Sequence, residues 1–487
     1  MNDKIRKVGL VSALLMLALL VNLTYTELVR QPDLEQNPRN LRARIADYNS
    51  DRGQILAGET VIAQSTPTDD NSGYRFTRNY PDGPLYAPVT GFFTIPYGFA
   101  ADRGVEYSYN AQLSGTASQQ WIERVLDQVT GRAPQGGSVV TTISPKLQQA
   151  AATALGSHQG AVVAMDPHTG AIRALVTSPS YDPNELAGHN LTAVQAAWNT
   201  LINDPTNPMS DRATKEVFPP GSTFKLVDMA AALEAGMTPD TLVDAPDALP
   251  YPNSTAALTN SSPCGNTAIT LDVALQKSCN TAFANLVLQL GVDKVRDQAA
   301  KFGFGSAPLP DLQAVASRFP GASAIVDDGD VMRAAVGQGD VVASPLQMAL
   351  IVAAIANDGQ QPTPYIVEQV RSPSLTTLTT HTVATHETLS QASAQVLQQM
   401  MVNVVEKGTG TPARVPGLTI GGKTGTAEHE DGQGNKLAPY AWFVGFSKNP
   451  DLVVAVFVQD APGENTEMHG GQTAGPIAKA VFTAARG

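Results

Sequence analysis

Charged side chains are scarce in this chain of 487 residues, where Asp, Glu, Lys and Arg together make up 16% of the sequence. A typical soluble domain carries about 25%. Because hydrophobic residues reach 43%, the shortage of charge indicates a folded protein with a sizeable core and excludes a disordered chain. Positive charge is the scarcer sign, and the formal net charge of -12 argues against a nucleic-acid partner.

Metal-ligand patterns are absent from the sequence as well. The seven histidines are scattered, and none stands in an H-E-x-x-H pattern. The segment HEDGQGN, which begins at His429, lacks the alternating carboxylates of a calcium loop and is typical of a hairpin turn. We therefore expect neither a metal ion nor another cofactor.

Long apolar runs are missing from most of the chain, and the one exception lies at the N-terminus. Residues 8–28 are mostly apolar and approach the ~20 residues that a membrane-spanning helix needs. The basic residues before this run are Lys4, Arg6 and Lys7. They predict that residues 1–7 stay in the cytoplasm and that the chain after this anchor lies outside. A cleaved signal peptide is the alternative, but no small-x-small cleavage pattern follows Val21.

Cysteine is nearly absent, with Cys264 and Cys279 as the two examples. Outside the membrane, the redox conditions favour a disulfide between them. Such a bond would close a loop of about 15 residues and stabilise the fold by roughly 3 kcal/mol if the geometry permits. Two free, buried cysteines are the alternative, because a sequence does not give the distance between the Cα atoms.

The rest of the chain divides into two regions of different character. Residues 29–145 are rich in Pro, Gly, Asp and Asn without a long helical period, which predicts a module of loops and short strands. Residues 146–487 contain a strand pattern, a turn at Asp166–Gly170 and a second alternating strand. Four helical patterns follow, and LTIGGKTGTAE, YAWFVGFS and LVVAVFVQD then predict three strands before a C-terminal helix. Strands at both ends predict one sheet built from distant segments, an α/β fold.

The segment FPPGSTFKLVDMAAALEAG, which starts at Phe218, is the first that suggests chemistry. Two prolines and Gly221 suit the approach to a helix, so Ser222 is predicted at its start, with Lys225 on the same face. The helix is otherwise apolar nearly all round, which indicates burial and a partly desolvated lysine. Burial lowers the pKa of a lysine, so a neutral amine would take the serine proton and activate a nucleophile. The ordinary alternative is a capping serine and a lysine that extends to solvent.

Two further polar clusters complete an ordered set. KSCNTAF places Ser278 and Asn280 between two apolar helices, and GGKTGTAE places Lys423 on a strand. Each cluster has an ordinary explanation by itself, a helix cap for the first and a glycine-rich turn for the second. Taken together and in this order, S-x-x-K, S-x-N and K-T-G form the signature of serine acyl transfer.

These motifs give the chain a family resemblance. The sequence resembles the class B penicillin-binding proteins, which are D,D-transpeptidases of peptidoglycan, and especially their shorter actinobacterial members. The segments that carry the resemblance are YDPN, FPPGSTFK, SCN, GQGDVVASPLQMALIVAAIANDG, GGKTGTAE and AWFVGF, which span the chain from Gly160 onward. DRGQIL, TRNYP and GVEYSYNAQLSG are similar to the N-terminal module of the family more loosely. Asp211 departs from the pattern, since the family usually has asparagine there, which leaves its packing role open.

The resemblance implies a fold of the penicillin-binding and serine β-lactamase type. This is an antiparallel sheet flanked by helices, preceded here by a small irregular β-rich pedestal or dimerisation module and one transmembrane helix. The resemblance also implies that Ser222 attacks the carbonyl between the last two D-alanines of a stem peptide, with Lys225 as the base. Ser278 would relay a proton toward the leaving D-alanine, and Asn280 would hold Lys225 and the substrate amide.

Further roles fall on the strand that carries the third motif. Lys423 would keep the site positive and help to hold Lys225 neutral. The strand residues that would bind the donor are Thr424, Gly425 and Thr426, with the two hydroxyls on the donor's terminal carboxylate. Backbone N–H groups of Ser222 and Thr426 would form an oxyanion hole, typically worth ~3 kcal/mol per donor.

The same resemblance implies the ligands and partners. The expected ligands are stem peptides that end in D-Ala-D-Ala, which would add beside the Lys423 strand, and β-lactam antibiotics, which would acylate Ser222 and stall there. The expected partners are the membrane, a membrane glycan polymerase and division proteins, because the resemblance favours a role in septal growth.

Several alternatives stay open at this point. The segment GLTIGGKT satisfies the phosphate-loop pattern, but TPARVP before it makes a poor strand and no helical pattern follows. Three closer alternatives share the serine nucleophile: a D,D-carboxypeptidase, a β-lactamase and a non-catalytic β-lactam sensor. A bifunctional polymerase is excluded, because residues 30–145 cannot house a glycosyltransferase.

Overall fold

The computed structural model describes residues 2–30, 34, 48–94, 103–120, 135–430, 437–460 and 469–486. Parts of the module expected at residues 29–145 and the first residue of the expected tail lie outside the described residues. The hairpin turn expected in HEDGQGN also lies outside them from position 431 onward.

The apolar N-terminal segment is a single helix, α1 (Asn2–Leu28). Within it, Lys4–Thr26 is a stretch of 23 residues whose most apolar window has a mean hydropathy of 2.1 and is not buried against the rest of the protein. Among the described residues, this is the one helix that is long and apolar enough to cross a membrane. A signal sequence passes the same test of length and composition.

A six-stranded sheet forms the centre of the N-terminal module. Its strands, in spatial order, are β13 (Thr377–Thr380), β12 (Val367–Arg371), β4 (Ser138–Thr141), β1 (Ile55–Ala57), β2 (Thr60–Pro67) and β3 (Phe76–Asn79). β1 runs parallel to β4, and the other neighbouring strands are antiparallel. Because β12 and β13 come from residues 367–380, this sheet joins the N-terminal module to the second region.

The N-terminal module also contains short helices that the sequence pattern did not indicate. They are α2 (Gly83–Thr90), α3 (Gly104–Ser108) and α4 (Asn110–Leu113). Helices of one or two turns are too short to show a clear apolar period. α3 presents Glu106 to two buried arginines, with Arg52 Nε at 2.7 Å and Arg78 Nε at 2.6 Å from its carboxylate oxygens. This buried cluster fixes α3 against the sheet.

A five-stranded antiparallel sheet forms the centre of the second region. Its strands, in spatial order, are β15 (Thr419–Ala427), β16 (Tyr440–Lys448), β17 (Leu452–Asp460), β5 (Gln159–Met165) and β6 (Ile172–Ser178). The pairing of β17 with β5 joins the end of the region to its beginning. The predicted hairpin, the three predicted C-terminal strands and the sheet built from distant segments are therefore confirmed.

Both faces of this sheet are covered, because successive side chains point to opposite faces and every residue of β5 after Gln159 is buried. Val162 and Ala164 of β5 pack into a core with α5 (Pro145–Leu155) and α15 (Gly470–Arg486). Ala161 and Val163 face the opposite core, which contains helix α13 (Pro345–Ala356). The sheet is thus sandwiched between helices, and the predicted fold is confirmed.

The remaining elements lie between β6 and β15 or next to them. The helices are α6 (Asn184–Ala187), α7 (Leu191–Asn203), α8 (Lys225–Glu234), α9 (Leu271–Lys277), α10 (Asn280–Leu290), α11 (Val292–Lys301), α12 (Asp328–Ala335), α13 (Pro345–Ala356) and α14 (Gln391–Lys407). The two-stranded ribbons pair β7 (Leu242–Asp244) with β10 (Ala268–Thr270), β8 (Ala248–Pro250) with β9 (Ala257–Thr259), and β11 (Gln360–Pro362) with β14 (Thr385–Glu387). α8 is buried from Lys225 to Leu233, so the predicted helix that is apolar all round is confirmed.

Candidate active site

Ser222 lies in a tight turn at the entrance to the buried helix α8. The turn Gly221–Phe224 is a 3-10 helix, and α8 begins at Lys225, so the regular α-helix starts three residues later than the sequence indicates. This geometry places Ser222 Oγ 3.0 Å from Lys225 Nζ. The serine and the lysine of the first motif are therefore within hydrogen-bonding distance.

Two glycines let the turn approach strand β15 closely. Gly221 has φ of 53°, and a Cβ atom at this position would lie 2.6 Å from the carbonyl oxygen of Thr426. A Cβ atom at Gly425 would lie 2.8 Å from the carbonyl oxygen of Pro220. Both distances are shorter than real contacts, so the glycines bring the nucleophile's turn against the strand of the third motif.

The second motif joins two helices at a sharp corner. Ser278 ends α9 with φ of 60° and ψ of 40°, a left-handed conformation, and Asn280 is the first residue of α10. The corner directs the oxygen atoms of this motif toward Lys225 Nζ. That nitrogen lies 2.9 Å from the Ser278 carbonyl oxygen, 3.4 Å from Ser278 Oγ and 2.7 Å from Asn280 Oδ1.

The partners of Lys225 suit a neutral amine. The carbonyl oxygen of Ser278 and the amide oxygen of Asn280 can accept hydrogen bonds but cannot donate them, so together they use two N–H groups of the lysine. A neutral amine has two N–H groups and one lone pair. The lone pair then remains for the hydroxyl proton of Ser222.

Thr259 fixes the orientation of the Asn280 amide, and no sequence pattern indicates this contact. Asn280 Nδ2 donates to the backbone carbonyl oxygen of Thr259 at 2.8 Å. Because only the NH₂ group can donate to a carbonyl, the amide oxygen must point the other way, toward Lys225. Thr259 lies at the end of β9, and its role depends on a carbonyl that any residue carries, so no side-chain pattern marks it.

Lys423 lies on β15 with its side chain completely buried. Its Nζ donates to Ser278 Oγ at 2.8 Å and to the backbone carbonyl oxygen of Thr424 at 2.9 Å. Ser278 Oγ is thus shared between Lys225 and Lys423. All five predicted catalytic residues are in one connected set of contacts, from Ser222 through Lys225, Asn280 and Ser278 to Lys423.

Burial controls the ionisation of both lysines. Desolvation lowers the pKa of Lys225 well below its usual value, and the charge of Lys423 lowers it further. Desolvation also lowers the pKa of Lys423, to about 7. Lys423 is therefore partly charged at neutral pH, and a carboxylate bound beside it would favour its charged form.

A carboxyl group that the sequence analysis missed lies one turn beyond Lys225. Asp228 is fully buried on α8, and neither side-chain oxygen has a hydrogen-bond partner among the described residues. Burial raises the pKa of Asp228 well above its usual value, and the charge of Lys225 acts in the opposite direction. Since burial moves the two pKa values toward each other, it favours an uncharged Lys225 and a protonated Asp228.

Ser222, Ser278 and Asn280 open onto a cleft of about 690 Å³. Thr424 and Thr426 also line it, as the sequence predicts for the donor site. The Thr424 hydroxyl lies 2.7 Å from the Thr409 hydroxyl, and Thr426 Oγ1 accepts from the backbone N–H of Gly470 at 3.2 Å. These contacts hold the two threonine hydroxyls at the wall of the cleft.

A disulfide joins Cys264 to Cys279, with a Cα–Cα distance of 6.1 Å. Cys279 stands between Ser278 and Asn280 in the second motif. The bond therefore attaches this motif to the segment that carries Cys264. Ser261 and Ser262 of that segment line the cleft.

Asp211, the position that departs from the family resemblance, is well accommodated. Its Oδ1 accepts from Thr177 Oγ1 at 2.8 Å and from the backbone N–H of Ala213 at 2.9 Å. The Thr214 hydroxyl donates to its other oxygen. The carboxyl therefore closes a local turn.

The phosphate-loop alternative is wrong in this structure. Most of GLTIGGKT belongs to strand β15 (Thr419–Ala427). A phosphate-binding loop would instead open a helix. Lys423 Nζ also points to Ser278, where the cleft is lined by the other motifs.

Family profiles match both parts of the chain. The profile described as "Penicillin binding protein transpeptidase domain" matches residues 160–483. The profile described as "Penicillin binding protein A dimerisation domain" matches residues 52–139.

Curated and solved relatives cover nearly the whole chain. The peptidoglycan D,D-transpeptidase PbpA of Mycolicibacterium smegmatis is 40% identical over 496 residues, which is 100% of this chain and 99% of the relative. Penicillin-binding protein A from Mycobacterium tuberculosis, solved as a ceftriaxone acyl-enzyme complex, has a TM-score of 0.85 and 39% identity over 91% of this chain and 99% of that one. Its penicillin G acyl-enzyme complex has a TM-score of 0.82 over 90% of this chain and 99% of that one.

Proposed function

The chain belongs to the class B penicillin-binding proteins, and on that premise we propose that Ser222 is the nucleophile of its reaction and Lys225 the base. The function of the chain is peptidoglycan D,D-transpeptidation, the activity for which its full-length relative is named. The observation that carries the residue assignment is the contact of Ser222 Oγ with the buried Lys225 Nζ at 3.0 Å. The N–H groups of this nitrogen are directed to the Ser278 carbonyl oxygen and to Asn280 Oδ1.

Acylation follows from these contacts. The lone pair of Lys225 takes the hydroxyl proton of Ser222, and Oγ attacks the carbonyl carbon between the last two D-alanines of the donor. The bond from that carbon to the nitrogen of the last D-alanine breaks. Ser278 Oγ lies within 3.4 Å of Lys225 Nζ, so it passes the proton from the lysine to the leaving amine.

The donor binds along the edge of the five-stranded sheet in this proposal. β15 is an edge strand, so its outer side can accept an extended peptide as an additional strand. The hydroxyls of Thr424 and Thr426 then bind the terminal carboxylate, and the charge of Lys423 favours it. Backbone N–H groups of Ser222 and Thr426 stabilise the oxyanion, each typically worth ~3 kcal/mol.

Water or an amine can resolve the acyl-enzyme, and the transpeptidase uses the amine of a second stem peptide.

We further propose that α1 anchors the chain in the membrane with the catalytic region on the outer side, since basic residues precede the apolar run. The glycan strands then come from a separate membrane polymerase. A site of action at division, with division proteins as partners, completes the proposal and is supported by the resemblance to the shorter actinobacterial members.

Ser222→Ala tests the proposal in the full chain, purified in detergent micelles and incubated with fluorescent penicillin. We expect wild-type protein to be labelled covalently and the variant to lose all labelling while its circular dichroism spectrum is unchanged. Ser210→Ala is the control, because this serine does not line the cleft, and it should be labelled like the wild type. Labelling that survives in Ser222→Ala would remove Ser222 from its role.

The lifetime of the adduct separates the closer alternatives. A stalled transpeptidase keeps its penicilloyl group for hours, whereas a β-lactamase releases it within seconds and turns over. A D,D-carboxypeptidase would release D-alanine from a donor peptide without forming a cross-link when an acceptor amine is present. A sensor without catalytic activity would form the adduct but release no D-alanine from any peptide.

A further inference from the structure

Thr409 lies outside the three motifs and touches the donor site. Its hydroxyl oxygen is 2.7 Å from the hydroxyl oxygen of Thr424, and both residues line the catalytic cleft. Thr424 is buried, so this contact, rather than exchange with bulk water, sets the direction of its hydroxyl group. The orientation of a group that we assign to donor binding therefore depends on Thr409.

Two helices hold the backbone around Thr409. Its N–H donates to the carbonyl oxygen of Gln276 in α9 at 3.2 Å, and a Cβ atom at the preceding Gly408 would lie 2.4 Å from the same oxygen. A Cβ atom at Gly471, in the first turn of α15, would lie 2.5 Å from the carbonyl oxygen of Thr409. Both distances are shorter than real contacts, so the two glycines let α9 and α15 pack against this backbone and fix the position from which the Thr409 hydroxyl reaches β15.

A bound carboxylate decides which of the two hydroxyls gives its proton to the other. A hydroxyl has one proton and two lone pairs, whereas an ionised carboxylate can only accept. Thr424 must therefore donate to the carboxylate and accept from Thr409. Thr426 has the same arrangement, because the backbone N–H of Gly470 donates to its Oγ1 at 3.2 Å and leaves its single proton for another acceptor. Since consecutive hydrogen bonds polarise one another, a bond from Thr409 strengthens the bond from Thr424 to the carboxylate.

We propose that Thr409 is a positioning residue that directs the hydroxyl proton of Thr424 to the terminal carboxylate of the donor and thereby selects donors that end in a carboxylate; this rests on the proposed function. The hydroxyl of Thr409 donates to Thr424 Oγ1, and the hydroxyl of Thr424 donates to the carboxylate. Thr409 acts through Thr424 and needs no contact of its own with the peptide. Its effect is confined to donors that carry the carboxylate, whereas a residue that only stabilises the fold would affect every donor alike.

The test compares two donors that differ in the carboxylate. Both are thioesters of the same acyl-D-alanine, one with thioglycolate, which carries a carboxylate, and one with ethanethiol, which does not. Acylation of Ser222 breaks the bond from the carbonyl carbon to sulfur, and a chromogenic reagent detects the released thiol, to which the disulfide-bonded protein contributes none. The value of kcat/KM for each donor is measured for the full chain in detergent micelles as wild type, Thr409→Val, Thr409→Ser and Thr419→Val. Thr419 is the matched control, because it is exposed at the start of the same strand, β15.

We expect Thr409→Val to lower kcat/KM for the thioglycolate donor about tenfold, the size of one hydrogen bond to a charged group, and to leave the value for the ethyl thioester unchanged. Thr409→Ser keeps the hydroxyl and should behave like the wild type with both donors, as should Thr419→Val. In a chain that already carries Thr424→Val, adding Thr409→Val should cause no further loss, because the two hydroxyls act in series.

An equal loss toward both donors in folded Thr409→Val, or no loss toward either, would overturn the inference and leave the proposed function standing. A tenfold loss that persists in the Thr424→Val chain would also overturn it, because Thr409 would then act without Thr424. If Thr409→Val does not fold, Thr409→Ala decides: a loss confined to the thioglycolate donor supports the inference, and any other result overturns it. A wild-type chain that releases no thiol from either donor and forms no penicillin adduct would instead remove the proposed function, and the inference with it.

Discussion

Asp228 and Lys225 lie three positions apart on one helix, both completely buried, and burial opposes the charge on each. The folded-state pKa of Asp228 lies well above its usual value of 3.8. The folded protein therefore keeps a proton that the unfolded chain releases above about pH 4. Stability from this group is fully present below pH 4 and falls as pH rises, by at most ~1.4 kcal/mol per pH unit.

We therefore expect Asp228→Asn, which is neutral at every pH, to melt at a higher temperature than the wild type at pH 7. This advantage should shrink as the pH is lowered toward 4. Thermal melts of the full chain across this range measure it, with the exposed Asp69→Asn as the control. A difference between Asp228→Asn and wild type that stays constant with pH would contradict a protonated Asp228.

At the scale of elements, the disulfide joins the second catalytic motif to the segment that carries Cys264. Cys279 is flanked by Ser278 and Asn280, so the bond to Cys264 restrains the corner that holds both side chains against Lys225. We expect the double variant Cys264→Ser, Cys279→Ser to lose roughly 3 kcal/mol of stability. Its acylation rate should fall about tenfold or more, because small misplacements of catalytic groups are costly.

Stopped-flow acylation and denaturant titration measure both effects. A reducing agent should reproduce them in the wild type and change nothing further in the double variant, which serves as the control. An acylation rate that is unaffected by loss of the bond would show that α9 and α10 hold the corner unaided.

The elements also show what a sequence can and cannot predict. Strands β16 and β17 and the buried helix α8 were predicted because their apolar runs are long and local. The motif residues were found because their side-chain types and order are distinctive. The contact of Thr259 with Asn280 was not found, since it uses a backbone carbonyl and depends on residues that are distant in the chain. Asp228 was missed because one acid in an apolar helix forms no pattern.

At the scale of the whole molecule, the six-stranded sheet joins two regions that the sequence separates at residue 145. β4 pairs with β1 of the N-terminal module on one side and with β12 of the second region on the other. Pairing between strands so far apart in the chain is set by tertiary structure, so composition did not indicate it. Unfolding of either region must break this shared sheet.

We therefore expect the full chain in detergent to unfold in one calorimetric transition, with equal calorimetric and van't Hoff enthalpies. Val370→Pro in β12 should weaken the pairing with β4, because proline removes a backbone donor from the sheet. It should separate the melt into two transitions, whereas the exposed Thr379→Ser in the edge strand β13 should not. Two transitions in the wild type would mean that the shared sheet does not couple the regions.

The pH dependence of acylation by penicillin tests most directly whether a neutral Lys225 activates Ser222. Only the unprotonated amine can take the serine proton, so the rate constant falls as pH drops through the folded-state pKa of Lys225. That pKa lies well below the usual 10.5, so we expect the rate to stop rising with pH well before the usual lysine range is reached. A rate that still rises tenfold per pH unit between pH 8 and 10 would show that Lys225 is charged in the resting site and would contradict its role as the base.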